Sequence, residues 1–99
     1  MTVSQFQRAI RETYFARDSA RGRDATFAWL VEEVGELSRA LRAGDEERMA
    51  EEFGDVLAWV ATLASIVGVD LERAVRRYED GCPKCGKRPC ECRESSWGG

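Results

Sequence analysis

A chain of 99 residues, with 43% hydrophobic and 33% charged side chains, has the composition of one small globular domain and argues against a multidomain enzyme. So short a chain buries only about 60 to 65% of its unfolded surface, which favours stabilisation by oligomerisation or by a metal. The net charge of −3 provides no basic surface for DNA. No apolar run approaches the roughly 18 residues of a membrane span, and the N-terminus has no signal-peptide core, so we expect a cytoplasmic protein without membrane or DNA partners.

Two residue types restrict the chemistry. Histidine is absent, which excludes a His-containing catalytic triad, a His general base and a His metal ligand. All four cysteines lie between Cys82 and Cys92, so we expect a local cysteine site and not a disulfide framework for the whole domain. Catalysis therefore depends on carboxylates, Arg, Lys, Tyr or a metal ion.

The first predicted helix lies at the N-terminus. Apolar residues recur at three- and four-residue spacing from Val3 onward, and Thr2 or Ser4 is available as the N-cap. This pattern predicts a helix from Val3 to about Ala16. The next segment, Asp18 to Asp24, combines a glycine with mixed charges and is expected to be a solvated loop.

Three more helices are predicted, at Ala25–Ala43, Glu46–Val67 and Asp70–Tyr78. Gly44 and Asp45 are the residue types of a helix end and an N-cap, so the second and third helices should form a tight antiparallel hairpin. No strand pattern occurs, and the fold class is therefore an all-α antiparallel bundle of about four helices whose core is completed by oligomerisation. Each long helix has one apolar face expected to be core; on the second helix this face comprises Phe27, Leu30, Val31, Val34, Leu37 and Leu41.

The hairpin is expected to bring acidic residues together, because residues equally far from Gly44 lie at the same level. Such carboxylates repel one another unless a cation neutralises them, and ligands that are all oxygen suit Mg²⁺ or Mn²⁺. Mg²⁺ commonly completes its shell with phosphates, which indicates a phosphorylated substrate. Equal distances pair Glu36 with Glu52 at eight residues, Glu33 with Asp55 at eleven, and Trp29 with Trp59 at fifteen.

Each of these residues also has a structural interpretation. An individual Glu on a helix is usually a solvated surface residue, so the evidence for a site is the paired register and not any single acid. Trp29 and Trp59 are suited to stacking on a nucleotide base. They are equally suited to the core of an oligomer interface.

The segments WLVEEVGEL (29–37) and EEFGDVL (51–57) together resemble the E-E-x-x-E … E-x-x-D signature of the MazG-type all-α nucleotide pyrophosphohydrolases. The resemblance covers about residues 3 to 80. It implies hydrolysis of a nucleoside triphosphate between the α- and β-phosphates to give monophosphate and pyrophosphate, for nucleotide-pool housecleaning. It also implies a homodimer or a homotetramer. The matching residues are Glu32, Glu33, Glu36, Glu52 and Asp55.

The resemblance implies that Glu33, Glu36, Glu52 and Asp55 are the Mg²⁺ ligands. Glu32 is then expected to act outside the first ligand shell, at a second metal or in water activation. Arginines crowd the first helix and the segment after it, and Arg8 and Arg11 are the predicted phosphate contacts. Many family members carry Asn seven residues after the final Asp, where this chain has Thr62.

The C-terminal cysteines have the C-x2-C … C-x-C spacing of a compact four-thiolate site. A structural Zn²⁺ ion is the first interpretation and a redox disulfide pair the second. The sequence thus divides into a helical domain at 1–80, a zinc-knuckle-like tail at 81–93 and a disordered tail at 94–99, with Trp97 as a possible anchor. The predicted zinc ligands are Cys82, Cys85, Cys90 and Cys92.

Two alternative functions remain at this point. One is a phosphoribosyl-ATP pyrophosphatase-like enzyme, which would share the carboxylate site. The other is a non-catalytic adaptor that dimerises through its helices and binds a protein or single-stranded RNA through the basic residues Lys84, Lys87 and Arg88 of the knuckle. An adaptor has no need of five acidic residues in register.

Overall fold

The structure, a computed structural model, describes residues 1–93, and within them it contains helices and no strand. The predicted all-α architecture is therefore confirmed. No single helix in this range is long and apolar enough to cross a membrane, although the third and fourth helices pass that test as a bent pair by length and composition alone. Residues 94–99, with the predicted tail and Trp97, lie outside the described range. The helices are α1 (Val3–Arg21), α2 (Arg23–Ala43), α3 (Glu46–Val67) and α4 (Leu71–Val75), followed by a 3-10 turn at Arg76–Tyr78.

Helix α1 begins at the predicted place but continues beyond its predicted end. The Thr2 hydroxyl accepts a hydrogen bond from the Gln5 N–H at 3.0 Å, and the Gln5 side chain accepts one from the Thr2 N–H at 2.7 Å, which forms a capping box. The predicted loop at Asp18 to Asp24 is wrong. Asp18 is buried against α3, and this tertiary contact keeps the chain helical until Gly22, whose φ of +86° suits glycine.

The α2–α3 hairpin forms as the sequence predicts. Gly44 adopts a left-handed φ of +71° and donates its N–H to the Ala40 carbonyl at 3.1 Å, which ends α2. The Asp45 carboxylate accepts a hydrogen bond from the Arg48 N–H at 3.2 Å, which starts α3. With so short a turn, α2 and α3 are antiparallel neighbours.

The fourth helix is shorter than predicted. The Asp70 carboxylate caps it by accepting the Arg73 N–H at 3.3 Å. The α-helix ends at Val75, and the predicted last turn is a 3-10 turn in which the Glu79 N–H bonds the Arg76 carbonyl at 3.0 Å. A final turn commonly tightens in this way because its carbonyls lack α-helical partners.

Gln7 joins α1 to the junction between α3 and α4. This buried residue donates its side-chain amide to the Ser65 hydroxyl at 3.2 Å and to the Val69 carbonyl at 2.8 Å. Its side-chain oxygen accepts the Leu71 N–H at 2.9 Å. The amide therefore satisfies backbone groups that the helix ends leave unpaired.

The core within one chain is small and is built from small residues. Ala40, Ala61 and Ala64 are the buried apolar residues in the described range. The apolar face of α2 is predicted to be core in an oligomer, and a single chain leaves much of that face exposed. Four of its predicted core residues remain about half exposed: Phe27, Val31, Val34 and Leu41.

Candidate active site

Three carboxylates meet across the α2–α3 hairpin. Glu33 on α2 and Glu52 and Asp55 on α3, here called the carboxylate cluster, each place one oxygen within 4.8 Å of the others. Glu52 and Asp55 share one face of α3 because they are three residues apart. The Glu52 Oε2 atom is buried and lacks a hydrogen-bond partner in the described part of the chain. Because an unpartnered buried oxygen costs free energy, the carboxylate cluster fits a hard divalent cation.

The other two predicted acidic residues lie outside the carboxylate cluster. Glu36 forms an ion pair with Arg39 on its own helix, and both side chains are substantially exposed. Glu32 is exposed on α2. The structure thus brings together Glu33, Glu52 and Asp55. Glu36 pairs with Arg39 instead.

The electrostatics of the carboxylate cluster are unfavourable without a cation. Partial burial of Glu33, followed by the negative charge of Asp55, raises the pKa of that carboxyl above its ordinary value of 4.5. The nearby carboxylates of Glu52 and Glu36 act in the same direction. Burial and the neighbouring carboxylates therefore destabilise the ionised form of Glu33.

We expect Glu33→Gln to stabilise the metal-free protein at neutral pH by about 0.5 kcal/mol, within the range measured for exposed charge pairs. The raised pKa means that folded wild type holds a proton that the unfolded chain has lost, so its stability falls as pH rises from 4.5 through the folded pKa of Glu33. Glu33→Gln should not lose stability over this pH range. Thermal unfolding of both proteins across pH measures the difference, and at neutral pH the Tm of the variant should be about 2 to 4 °C above that of wild type.

Glu51→Gln is the matched control, because it removes the same charge from an exposed position outside the carboxylate cluster. We expect added Mg²⁺ to raise the Tm of wild type and to raise that of Glu33→Gln much less. If wild type and Glu33→Gln have equal Tm values without metal over the whole pH range, the carboxylates of the cluster do not repel one another enough to affect stability.

Two indole rings lie beside the carboxylate cluster. The ring centroids of Trp29 and Trp59 are 6.2 Å apart and their planes are inclined by 17°. This contact confirms the predicted pairing of the two residues at equal distance from Gly44, and with it the register of the hairpin. The guanidinium carbon of Arg21 lies 4.8 Å from the Trp59 ring centroid, in cation–π contact.

A cleft of about 500 Å³ connects the indoles to the carboxylates. This volume is within the range of small-molecule sites, about 300 to 1,000 Å³. Helices α2 and α3 contribute Glu33, Asp55 and the two tryptophans, and Thr62 lies among them. Helix α1 forms the remaining wall with four residues: Tyr14, Arg17, Asp18 and Arg21.

Asp18 anchors the α1 wall of this cleft. One of its carboxylate oxygens accepts a hydrogen bond from the Thr62 hydroxyl at 2.9 Å, and the other is 3.1 Å from the Arg21 guanidinium. Arg21 also donates to the Thr26 hydroxyl at 3.4 Å. These contacts hold a positive charge against the Trp59 ring, at the edge of an otherwise acidic site.

The sequence matches the MazG nucleotide pyrophosphohydrolase domain over residues 21–88. The chain belongs to the MazG family. A dATP/dGTP diphosphohydrolase of cyanophage S-2L is 36% identical over 75 residues, which cover 76% of this chain and 68% of the phage protein. An uncharacterized protein of Bacillus subtilis (strain 168), YvdC, is 28% identical over 101 residues, covering 85% of this chain and 95% of that protein. These likenesses assign the chain to hydrolases that act on nucleotides.

The α1 wall is the part of the cleft that sequence analysis missed. The MazG match begins at Arg21, so Tyr14, Arg17 and Asp18 lie before it. The sequence predicts a loop at Asp18, and a loop residue has no defined position relative to the cleft. The signal was present in the spacing of Tyr14, Asp18 and Arg21, since residues three and four apart share one face of a helix.

The arginines predicted to bind phosphate lie away from this cleft. Arg8 and Arg11 line a separate cavity of about 380 Å³, together with Ser4 and Gln7. Arg17 and Arg21 are the arginines that line the cleft beside the carboxylate cluster. Within one chain, the arginines that line this cleft thus come from the C-terminal half of α1.

The cysteines around the end of the MazG match, at residue 88, form a second cluster. Hydrogen bonds from the backbone of Cys85 and Lys84 lower the pKa of Cys82 to about 6, and contacts with Cys90 and Cys82 raise the pKa of Cys92 to about 12. The thiols therefore do not all ionise together unless a cation joins them. One sulfur atom from each of four residues lies within 4.8 Å of the others, namely Cys82, Cys85, Cys90 and Cys92.

Proposed function

We propose that the protein is a Mg²⁺-dependent nucleoside triphosphate pyrophosphohydrolase that releases pyrophosphate and a nucleoside monophosphate, in the service of nucleotide-pool housecleaning. The observation that carries the proposal is the carboxylate cluster of a MazG domain, in which a buried Glu52 oxygen has no hydrogen-bond partner. Two of its members, Glu33 and Asp55, line a cleft with two indoles. A hard cation satisfies that oxygen and attracts phosphates. Mn²⁺ is the alternative ion because it accepts the same oxygen ligands.

Each acidic residue has a defined part in this proposal. Glu33, Glu52 and Asp55 hold the metal, and Glu36 joins them when its side chain turns away from Arg39. Glu32 acts from the edge of the site on a second ion or on the attacking water. A Mg²⁺ ion held there would supply polarisation of the α-phosphate and activation of a water for in-line attack.

The other walls of the cleft bind the remainder of the substrate. Arg17 and Arg21 provide positive charge for the phosphate oxygens that do not contact the metal. The indoles of Trp29 and Trp59 supply flat surfaces for a base, and Trp29 is 52% exposed. Because a relative is named for dATP and dGTP, purine deoxynucleotides are the first substrates to test.

A second copy of the chain completes the bundle in this proposal. The half-exposed residues Phe27, Val31 and Val34 on α2, with Phe53 and Leu57 on α3, are too apolar to remain in water. A homodimer, or a homotetramer built from dimers, buries them.

The experiment is a measurement of pyrophosphate release from canonical and modified nucleoside triphosphates and from phosphoribosyl-ATP, with Mg²⁺ and after chelation. Chromatography identifies the products, and light scattering gives the molar mass of the active species. We expect monophosphate plus pyrophosphate from at least one nucleoside triphosphate, only with the metal, from a species of two or more chains. Turnover of phosphoribosyl-ATP alone, or of no compound by a folded sample, would overturn the proposal.

A further inference from the structure

We propose that the C-terminal knuckle binds one structural Zn²⁺ ion through four thiolates, those of Cys82, Cys85, Cys90 and Cys92. The ion is distinct from the one at the carboxylate cluster, because the two sites offer different ligand atoms. The carboxylate cluster presents oxygen alone, and the knuckle presents sulfur alone. Hard Mg²⁺ selects the first set, and thiolate ligands select Zn²⁺.

The spacing of the sulfur atoms matches tetrahedral zinc. A Zn–S bond of about 2.3 Å places the corners of a tetrahedron about 3.8 Å apart. The sulfurs of Cys82 and Cys92 are 3.6 Å apart, and those of Cys85 and Cys90 are 3.9 Å apart. A disulfide requires about 2.05 Å, so neither pair is a disulfide, and all four cysteines are free.

Backbone N–H groups prepare the sulfurs to act as thiolates. The Lys84 N–H donates to the Cys82 sulfur at 3.4 Å, and the Glu91 N–H donates to the Cys85 sulfur at 3.4 Å. The Cys92 N–H donates to the Cys90 sulfur at 3.3 Å. Hydrogen bonds from outside the ligand shell orient ligands in metal sites, and here they orient three of the four sulfur atoms toward one another.

The knuckle is fastened to the end of the helical bundle. The Arg88 guanidinium donates to the Glu79 carbonyl at 2.6 Å and to the Tyr78 carbonyl at 3.5 Å, at the end of the 3-10 turn. Gly81 lies so close to the Lys87 carbonyl that an added Cβ would stand 2.9 Å from that oxygen. The hydrogen bonds occupy Arg88 within its own chain, which disfavours the adaptor interpretation that assigned it to RNA.

With all four coordination positions taken by protein, the ion has no open position for substrate, and its role is structural. The knuckle buries little hydrophobic surface: three of its four cysteines are only partly buried, and Cys90 is exposed. Zinc would stabilise it by crosslinking the four sulfur atoms. Binding of the ion therefore supplies much of the free energy that orders residues 82–92.

The test uses the full chain, purified under reducing and anaerobic conditions. We expect elemental analysis to find one zinc ion per chain, and Co²⁺ exchanged into the site to show the intense visible absorption of a tetrahedral tetrathiolate complex. Cys85→Ser and Cys92→Ser should each weaken zinc binding by more than about 100-fold, because even lost outer-shell contacts cost about 10- to 100-fold. Circular dichroism should show the helices intact in both variants.

Two controls separate this site from the hydrolytic one. Glu91→Gln, an exposed residue within the knuckle, should keep full zinc content. Glu52→Gln should also keep it, whatever its effect on nucleotide hydrolysis, so the two proposals fail independently. A disulfide found by mass spectrometry in freshly reduced protein, a zinc content near zero, or a weak Co²⁺ spectrum typical of oxygen ligands would overturn the zinc assignment.

Discussion

The Asp55→Asn and Glu52→Gln variants should fold like wild type and hydrolyse nucleoside triphosphates at least about 1,000-fold more slowly, a loss of about 4 kcal/mol of transition-state stabilisation. Each substitution keeps the size of the side chain and removes a negative charge from the cluster that also contains Glu33. The loss should appear chiefly in kcat, because the metal acts on charge that develops during the reaction. Steady-state kinetics at saturating Mg²⁺ measure it.

Glu51→Gln is the matched control for both variants. Glu51 precedes Glu52 on α3, is exposed and lies outside the carboxylate cluster, so its loss should change the rate by less than about threefold. Full activity in Asp55→Asn or in Glu52→Gln would remove the metal assignment. An equal loss in Glu51→Gln would show that overall charge, and not the cluster, controls the rate.

Asp18→Ala should lower the free energy of unfolding by about 2 to 3 kcal/mol, because it leaves the Thr62 hydroxyl and the Arg21 guanidinium without their carboxylate. At about 4 to 8 °C per kcal/mol for a domain of this size, Tm should fall by about 10 °C or more. The affected Arg21 lies against Trp59 in the cleft, so KM for nucleotide should rise as well. Denaturant unfolding and steady-state kinetics measure the two effects.

Asp24→Ala tests whether any acidic residue near the end of α1 has the same effect. Asp24 also pairs with an arginine, Arg23, but both side chains are well exposed, at 88% and 69%. Its removal should cost less than about 0.5 kcal/mol, since exposed ion pairs contribute little. If Asp18→Ala proves no more destabilising than Asp24→Ala, the buried network does not hold α1 in place.

The helical hairpin and its register were predictable from the sequence, because both depend on local signals. Gly44 and Asp45 mark the turn, and counting residues from that turn pairs Trp29 with Trp59 and brings Glu33 to the level of Asp55. Helical periodicity converts such counting directly into position. The cysteine cluster was predictable for a similar reason, since its four ligands lie within a few residues of one another.

Long-range contacts were not predictable in this way. The continuation of α1 through Asp18 depends on a hydrogen bond from the Thr62 hydroxyl, which is far along the chain. The residues near Asp18 contain no periodic pattern that predicts this contact. Arg17 and Arg21 could not be recognised as cleft residues for the same reason, because a first helix that ends near Ala16 gives neither side chain a defined direction. Glu36 lies beside Arg39 by a choice of rotamer that residue spacing does not specify.

The sequence alone determined the all-α class, the antiparallel hairpin and the acidic signature, because each depends on residues close together in the chain. The tertiary structure decided which acids meet in one chain, which wall faces them, and how little of the apolar surface a single chain buries. These depend on the packing of α1 against α3 and on the free energy of a few buried contacts at Gln7 and Asp18. Local patterns report the faces of helices, and only packing determines what each face meets.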